Sequence, residues 1–356
     1  TSAILLPSGK DPGSFNLSKT IIKEILNEKN SILINPQEDE RCANQESIIM
    51  SEIKSAMAVP LFDEGQVLGI FYVDTTNPLH MYNDDYLRLL ATFGNLIASR
   101  LLNYELLNER QAKQVMEAEL ERASSIQNNL LIKTSPEYSG YQIRTFQEQC
   151  KMVGGDLFDI TMLDDGKLLF LVADVSGKGM GGALLMSNIL AAFRILYKNE
   201  SKFDLVKVTK QISKQLHAYS RPEDFATLFI GTIDNKTNEL TFLNAGHNPP
   251  LLARANGDIE YLEPSGIMIG AFDFSDWQEE KVTMQPNDTL IVFTDGVVEA
   301  ERHGELYGDE RLESLVKRCI SLNAQKIVDT IVTDVLDYVA DSPRSDDITM
   351  IALKRE

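Results

Sequence analysis

Cysteine is scarce in this chain: Cys42, Cys150 and Cys319 stand far apart among 356 residues, and no CxxC pair occurs. That excludes a disulfide framework and a cysteine zinc site, and it fits a reducing cytoplasm. Basic charge is also short. Lys and Arg total 34 against 53 Asp and Glu, leaving a net charge of −19 with no basic stripe to offset it. Nucleic acid and anionic membrane surfaces are therefore disfavoured as partners. No apolar run approaches the ~18 residues needed to span a bilayer, and no signal peptide is visible. Thr1 stands where an initiator Met would, and Ala3 to Leu6 is already strand-like, which suggests a piece of a longer protein.

What remains is ordinary globular material, 43% hydrophobic and 24% charged, enough to bury a sizeable core. The length sets a prior of about two domains with a connector. The most informative stretch is Lys151 to Gly182, KMVGGDLFDITMLDDGKLLFLVADVSGKGMGG, which reads as a β-hairpin. Its strands are Leu157 to Leu163 and Lys167 to Ala173, around the turn residues Asp164-Asp165-Gly166. With Leu163 facing Lys167, Asp156 lies directly opposite Asp174. Directly opposed side chains on a sheet have Cβ atoms roughly 4.5–5.5 Å apart, and like charges placed so are destabilising. Such a pair calls for a cation between its members.

Before this hairpin, residues 1 to about 100 alternate helical and strand patterns. Ser18 to Asn27 reads as a short helix, Ser31 to Asn35 as a strand, and Ala56 to Asp74 as a hairpin turning at Asp63-Glu64-Gly65. Asn83 caps a helix that starts at Asp84 and runs toward Asn103. The order VPL…GxVLGxxYVD followed by a long helix resembles a GAF sensory domain over most of residues 1–100. That resemblance implies a small-molecule, chromophore or dimerisation role. The NK…F…DE signature of the cyclic-nucleotide subset is absent and Cys42 reads as a plain thiol, so the GAF ligand is unknown or none.

The helix continues as a stalk over residues 101–134. Leu102, Leu106, Glu109, Lys113, Met116, Leu120, Ala123, Gln127 and Leu130 keep strict 4-3 spacing, and six of the nine are apolar. This pattern predicts a parallel coiled-coil homodimer with a weak polar middle, against the alternative of one amphipathic helix packed on its own domain. Pro136 is expected to end it.

Residues 135–356 then read as strands and segregated helices, an α+β pattern and not a doubly wound sheet. Strands are expected at Tyr141–Gln147, Thr227–Asp234, Glu239–Ala245, Leu251–Ala253, Thr289–Thr294 and Ile348–Leu353. Helices are expected at Ala183–Tyr197, Asp204–Tyr219, Glu310–Leu322 and Ala324–Ala340. Asp156, Asp174, Asp295 and Asp346 all fall where a strand meets a loop. One such Asp is a common turn former. Four, two of them cross-strand, point to an all-oxygen site for a hard cation such as Mg²⁺ or Mn²⁺.

The motifs GGD, ADVSGKG, NAGHNPP, TDG and DDIT occur in that order between residues 154 and 349. Together they resemble the PPM family of metal-dependent serine/threonine phosphatases, in its bacterial stress-response and sporulation branch. The resemblance implies an antiparallel β-sandwich flanked by helices, with two divalent cations at one rim. By this resemblance Asp156 bridges both ions, Asp174 and the Val175 carbonyl are further ligands, and Asp295 and Asp346 complete the ligand set of the second ion. Asp347 is the less favoured member of its pair. Lys151 stands where relatives carry a phosphate-binding Arg, supplying charge without the bidentate fork. The implied chemistry is in-line attack by metal-held hydroxide on a phosphoserine or phosphothreonine monoester. The implied partner is a STAS-type anti-anti-sigma protein.

Two weaker likenesses fail. Ser176-Gly177-Lys178-Gly179 lacks both the Ser or Thr after Lys178 and the earlier Gly of a phosphate loop, whose place Val172 holds. Gly154-Gly155-Asp156-Leu157-Phe158 is similar to the GGDEF signature of diguanylate cyclases, but Leu157 replaces the Glu and TDG and DDIT go unexplained. A catalytically silent scaffold domain is the principal rival reading, and His247 in GHNPP reads as a structural turn residue.

Overall fold

The computed structural model describes residues 25, 29–35, 53–63, 66–132, 134–199, 203–340, 342, 344 and 346–356. The expected strand at Ala3–Leu6, the body of the helix at Ser18–Asn27, and Cys42 lie outside them. Two compact units divide the chain, Thr1–Met116 and Glu117–Glu356.

In the first unit, β1 (Ile32–Ile34), β2 (Ser55–Asp63) and β3 (Gln66–Thr75) form an antiparallel sheet in that order. Strand alternation splits its apolar residues between two faces. Ala56 and Ala58 join Ile25, Ile32 and Ile34 on one side, while Met57 and Val59 meet Leu90 on the other. Leu90 belongs to α1 (Asp84–Leu130), whose first turn is capped as expected. The Asn83 side chain accepts the N–H of both Asp85 and Tyr86 at 3.1 Å.

The helix stops at Leu130, earlier than Pro136 alone would require. Its last turns also differ in exposure along the seam. Leu106 and Met116 are 44% and 62% exposed, whereas Gln127 is only 3% exposed. The final seam positions are therefore used within the second unit, and the heptad pattern there serves the helix's own domain.

The second unit stacks two five-stranded antiparallel sheets between two helical pairs. One sheet contains β4 (Tyr141–Glu148), β9 (Leu251–Ala253), β10 (Ile259–Tyr261), β12 (Thr289–Phe293) and β15 (Ile348–Arg355), in the order β10-β9-β12-β15-β4. The other contains β5 (Leu157–Met162), β6 (Leu168–Val175), β7 (Ala226–Asp234), β8 (Glu239–Ala245) and β11 (Glu280–Thr283), in the order β11-β8-β7-β6-β5. The two-residue periodicity explains why near-continuous apolar strands suit this arrangement. In β6, Leu168, Phe170 and Val172 face the other sheet. Leu169, Leu171 and Ala173 face α2 (Met180–Asn199) and α3 (Leu205–Tyr219). The opposite sheet likewise sends Leu290 and Val292 inward, and Ile291 and Phe293 toward α4 (Asp309–Cys319) and α5 (Ala324–Val339).

Sequence reading did not find β10 and β11, nor the two-residue strands β13 (Glu301–Arg302) and β14 (Glu305–Leu306). It also held that no segment approaches a bilayer-spanning length, yet Met180–Lys198 is long and apolar enough by composition. Met186, Ile189, Leu190 and Phe193 of that helix are buried in the cluster beneath β6.

Phe170 is fully buried between the sheets. Phe170→Ala should cost the second unit about 3–5 kcal/mol, read as a lower urea midpoint of its unfolding transition. A loss below about 1 kcal/mol would contradict the packing described.

Candidate metal centre

Turn geometry sets the first two carboxylates. The Leu163 N–H donates to the Lys167 carbonyl at 2.9 Å, and the ladder pairs Leu157 with Ala173. Continued by one residue, this register sets Asp156 opposite Asp174, as the hairpin reading expects. Asp295 follows β12 and Asp346 precedes β15, adjacent strands of the other sheet. A cleft of about 340 Å³ is lined by Asp174, Asp295 and Asp346, together with Lys151, Val175 and Lys178. Asp156 lies behind it, 2% exposed.

The two sheets are tied together at this rim through one hydroxyl. Thr294 Oγ1 donates to Asp156 Oδ2 at 2.7 Å and accepts the Thr349 N–H at 3.0 Å. The Asp156 carbonyl in turn accepts from Gln147 Nε2 at 2.9 Å. Asp347, the less favoured acid of its pair, is a loop organiser. Its Oδ1 accepts the Cys150 N–H at 2.7 Å and its Oδ2 the Gly155 N–H at 3.0 Å. This close wrapping explains two motif glycines. A Cβ on Gly154 would sit 2.1 Å from Asp347 Oδ2, and one on Gly296 would sit 1.9 Å from the Asp347 carbonyl oxygen.

Electrostatics follow from this crowding. Burial, then the Asp174 charge, pushes the Asp156 carboxyl well above the usual carboxylate range. Asp174 is raised to about 7, first by burial and then by Asp295 and Asp346. Burial and Asp346 raise Asp295 to about 6. Each group resists ionisation first because burial strips its charge of water, and then because its neighbours carry the same sign. Lys178 Nζ lies 2.6 Å from Asp346 Oδ2, a partner that sequence reading missed because Lys178 entered it only through the rejected phosphate loop. Lys151 is exposed at the cleft wall.

Among the described residues, no three His, Cys, Asp or Glu side chains form a closed ion cage. The donor chemistry nevertheless fits hard cations. Carboxylate oxygens predominate, and the Cys150 thiol is tied to the Arg344 carbonyl at 3.0 Å. His247 is apart from this set. It is 1% exposed, with Nδ1 2.8 Å from Thr227 Oγ1, and burial lowers its pKa to about 4.

The residues around the rim also reach the helix end. Gln127 Nε2 donates to the Gly154 carbonyl at 2.7 Å, and its Oε1 accepts the Gly154 N–H at 3.2 Å. Arg194 holds Asp159 through Nε at 2.9 Å and Nη2 at 3.0 Å, and its Nη1 donates to the Leu130 carbonyl at 2.7 Å. Nothing in the local sequence marked these partners.

An antiparallel sandwich with helices on both outer faces and an acidic rim defines a PP2C-type domain. The SiaA PP2C domain of Pseudomonas aeruginosa shares that fold, with a TM-score of 0.61 and 21% identity, covering 69% of this chain and 99% of that one. The RsbU and RsbW domains of Rv1364c from Mycobacterium tuberculosis give a TM-score of 0.53 at 25% identity, over 64% of this chain and 63% of that one. The profile of Stage II sporulation protein E (SpoIIE) matches residues 164–356, and this chain belongs to that family. A GAF domain profile matches residues 6–101, so both resemblances read from the motifs hold. Protein IcfG of Synechocystis sp. is 30% identical over 264 residues, covering 67% of this chain and 41% of IcfG. Phosphoserine phosphatase RsbU of Bacillus subtilis is 26% identical over 248 residues, covering 69% of this chain and 73% of RsbU. The chain thus spans less than half the length of IcfG.

The raised carboxyls fix a pH dependence. Asp174 and Asp295 bind protons more tightly folded than unfolded, where the value is 3.8. Their stabilising contribution is complete below about pH 4 and is lost as pH rises through 6 and 7. Chelator-treated protein should therefore melt at a lower temperature at pH 8 than at pH 5, and Asp174→Asn should flatten that fall. An equal fall in the variant would contradict the assignment.

Proposed function

We propose that the second unit is a divalent-cation-dependent protein phosphatase acting on phosphoserine or phosphothreonine. The observation that carries this reading is the convergence of acidic side chains from adjacent strands of both sheets on one cleft, with Asp156 against Asp174 behind it. Asp156, Asp174, the Val175 carbonyl, Asp295 and Asp346 would hold two cations, Mn²⁺ or Mg²⁺. Bound there, such ions supply Lewis-acid charge to phosphoryl oxygens and lower the pKa of bound water. Thr294 keeps the Asp156 carboxylate oriented, and Asp347 fixes the loop that carries it. Lys151 draws the phosphate to the cleft as a point charge. The names of RsbU and RsbP, both phosphoserine phosphatases, support the same activity.

The substrate we assign is a phosphoprotein of the STAS anti-anti-sigma type, and the site of action is the cytoplasm. The GAF domain and the exposed part of α1 form a homodimer in this reading. A GAF signal that turns the helix acts on the cleft through α2 and α3, which follow Asp174 directly. Cross-linking between copies along Leu102 to Leu120 should change with that signal.

A phosphoserine protein incubated with Mn²⁺ should release phosphate, and Asp174→Asn should reduce kcat/KM by more than about 100-fold. Lys151→Ala should raise KM roughly threefold to tenfold with kcat nearly unchanged. Silence of the wild type with either metal would favour the scaffold reading, which the Lys178–Asp346 pair also suits.

A further inference from the structure

We propose that Gln127 is a positioning residue for the metal centre, coupling the end of α1 to the loop that sets the Asp156 carboxylate. This rests on the phosphatase reading above.

The segment from Gln149 to Asp156 has no regular ladder of its own and is held by side chains. Asp347 takes the N–H groups of Cys150 and Gly155, and Gln147 takes the Asp156 carbonyl. Both of these anchors belong to the sandwich. Gln127 comes from the helix and treats Gly154 as a strand neighbour would, donating to its carbonyl and accepting its N–H. Gln149 Nε2 adds a third bond to Gln127 Oε1 at 3.0 Å, so the amide is satisfied on both sides. At 3% exposure, losing these bonds leaves buried backbone groups without water to replace them.

The seam pattern gives this residue a second meaning. Gln127 occupies a heptad position where an apolar residue suits a coiled coil, and a polar one there weakens the seam. Its bonding inside the domain accounts for that polarity. A rotation or one-turn slide of α1 cannot keep both hydrogen bonds to Gly154, because each requires the amide plane to lie along the backbone. Gly154 is two residues from Asp156, so such a displacement moves the carboxylate most buried behind the cleft. Arg194 forms a parallel tie, joining the Leu130 carbonyl to Asp159 on β5. The helix end is thus fastened both to the strand that follows Asp156 and to the loop that precedes it.

The test uses the full chain. Gln127→Leu and Gln127→Asn, the second keeping an amide one methylene too short, should weaken Mn²⁺ binding by calorimetry about tenfold. Both should lower kcat on a phosphoserine protein, with KM little changed. Variants that fold and bind Mn²⁺ as the wild type does would overturn the proposal, even with a lowered melting temperature. A wild type that binds no Mn²⁺ would instead remove the phosphatase reading. Hydrogen exchange of the wild type decides the matter without any substitution. Mn²⁺ should slow exchange in residues 149–156 and in the helix end 124–131 together, and protection of the loop alone would sink the coupling.

Discussion

The crowding of one buried and three half-buried carboxylates, short of water and mutually repelling, is the constraint from which the rim takes its form. Asp156 and Asp174 oppose each other across one hairpin, and Asp295 and Asp346 approach from the other sheet. Their gathering costs free energy in water-poor surroundings unless positive charge or donated hydrogen bonds answer it. Thr294 answers for Asp156 and Lys178 for Asp346. The sandwich supplies the remainder, because strands locked by apolar layers on both faces cannot spread to relieve the strain. Fully buried Phe170, Phe229 and Phe293 lie within those layers.

Much of this was legible from local pattern. Strand periodicity and the Asp164-Asp165-Gly166 turn define the register that faces Asp156 with Asp174, and four strand-end aspartates mark the rim. The unit's α+β character and its helices α2 to α5 were equally readable, since each helix repeats apolar residues at three- and four-residue spacing. The short strands β10, β11, β13 and β14 escaped because two to four residues carry too little periodicity to distinguish from a loop. The roles of Asp346 and Asp347 could be ranked but not explained. Only the fold shows Asp347 turned back onto Cys150 and Gly155.

A third class of residue carried no signal of its role. Gln127 counted only as a polar position in the helical seam, and Arg194 belonged to no motif. Their partners lie 27 and 35 residues away in sequence, with no spacing rule to connect them. Arg194 is the clearer case. Its guanidinium fork matches the Asp159 carboxylate, which is 2% exposed, and a third N–H remains to cap the helix carbonyl of Leu130. A buried acid so held costs little, whereas the same acid without its fork would be a liability.

That capping has a practical corollary for anyone trimming this protein. The motifs invite a cut just before Pro136, where the resemblance to PPM phosphatases starts. Such a shortened polypeptide would begin after both of the helix's fastenings, stranding the Gly154 peptide groups and one guanidinium N–H in the interior. The boundary that respects the physics falls further upstream, within the helix itself.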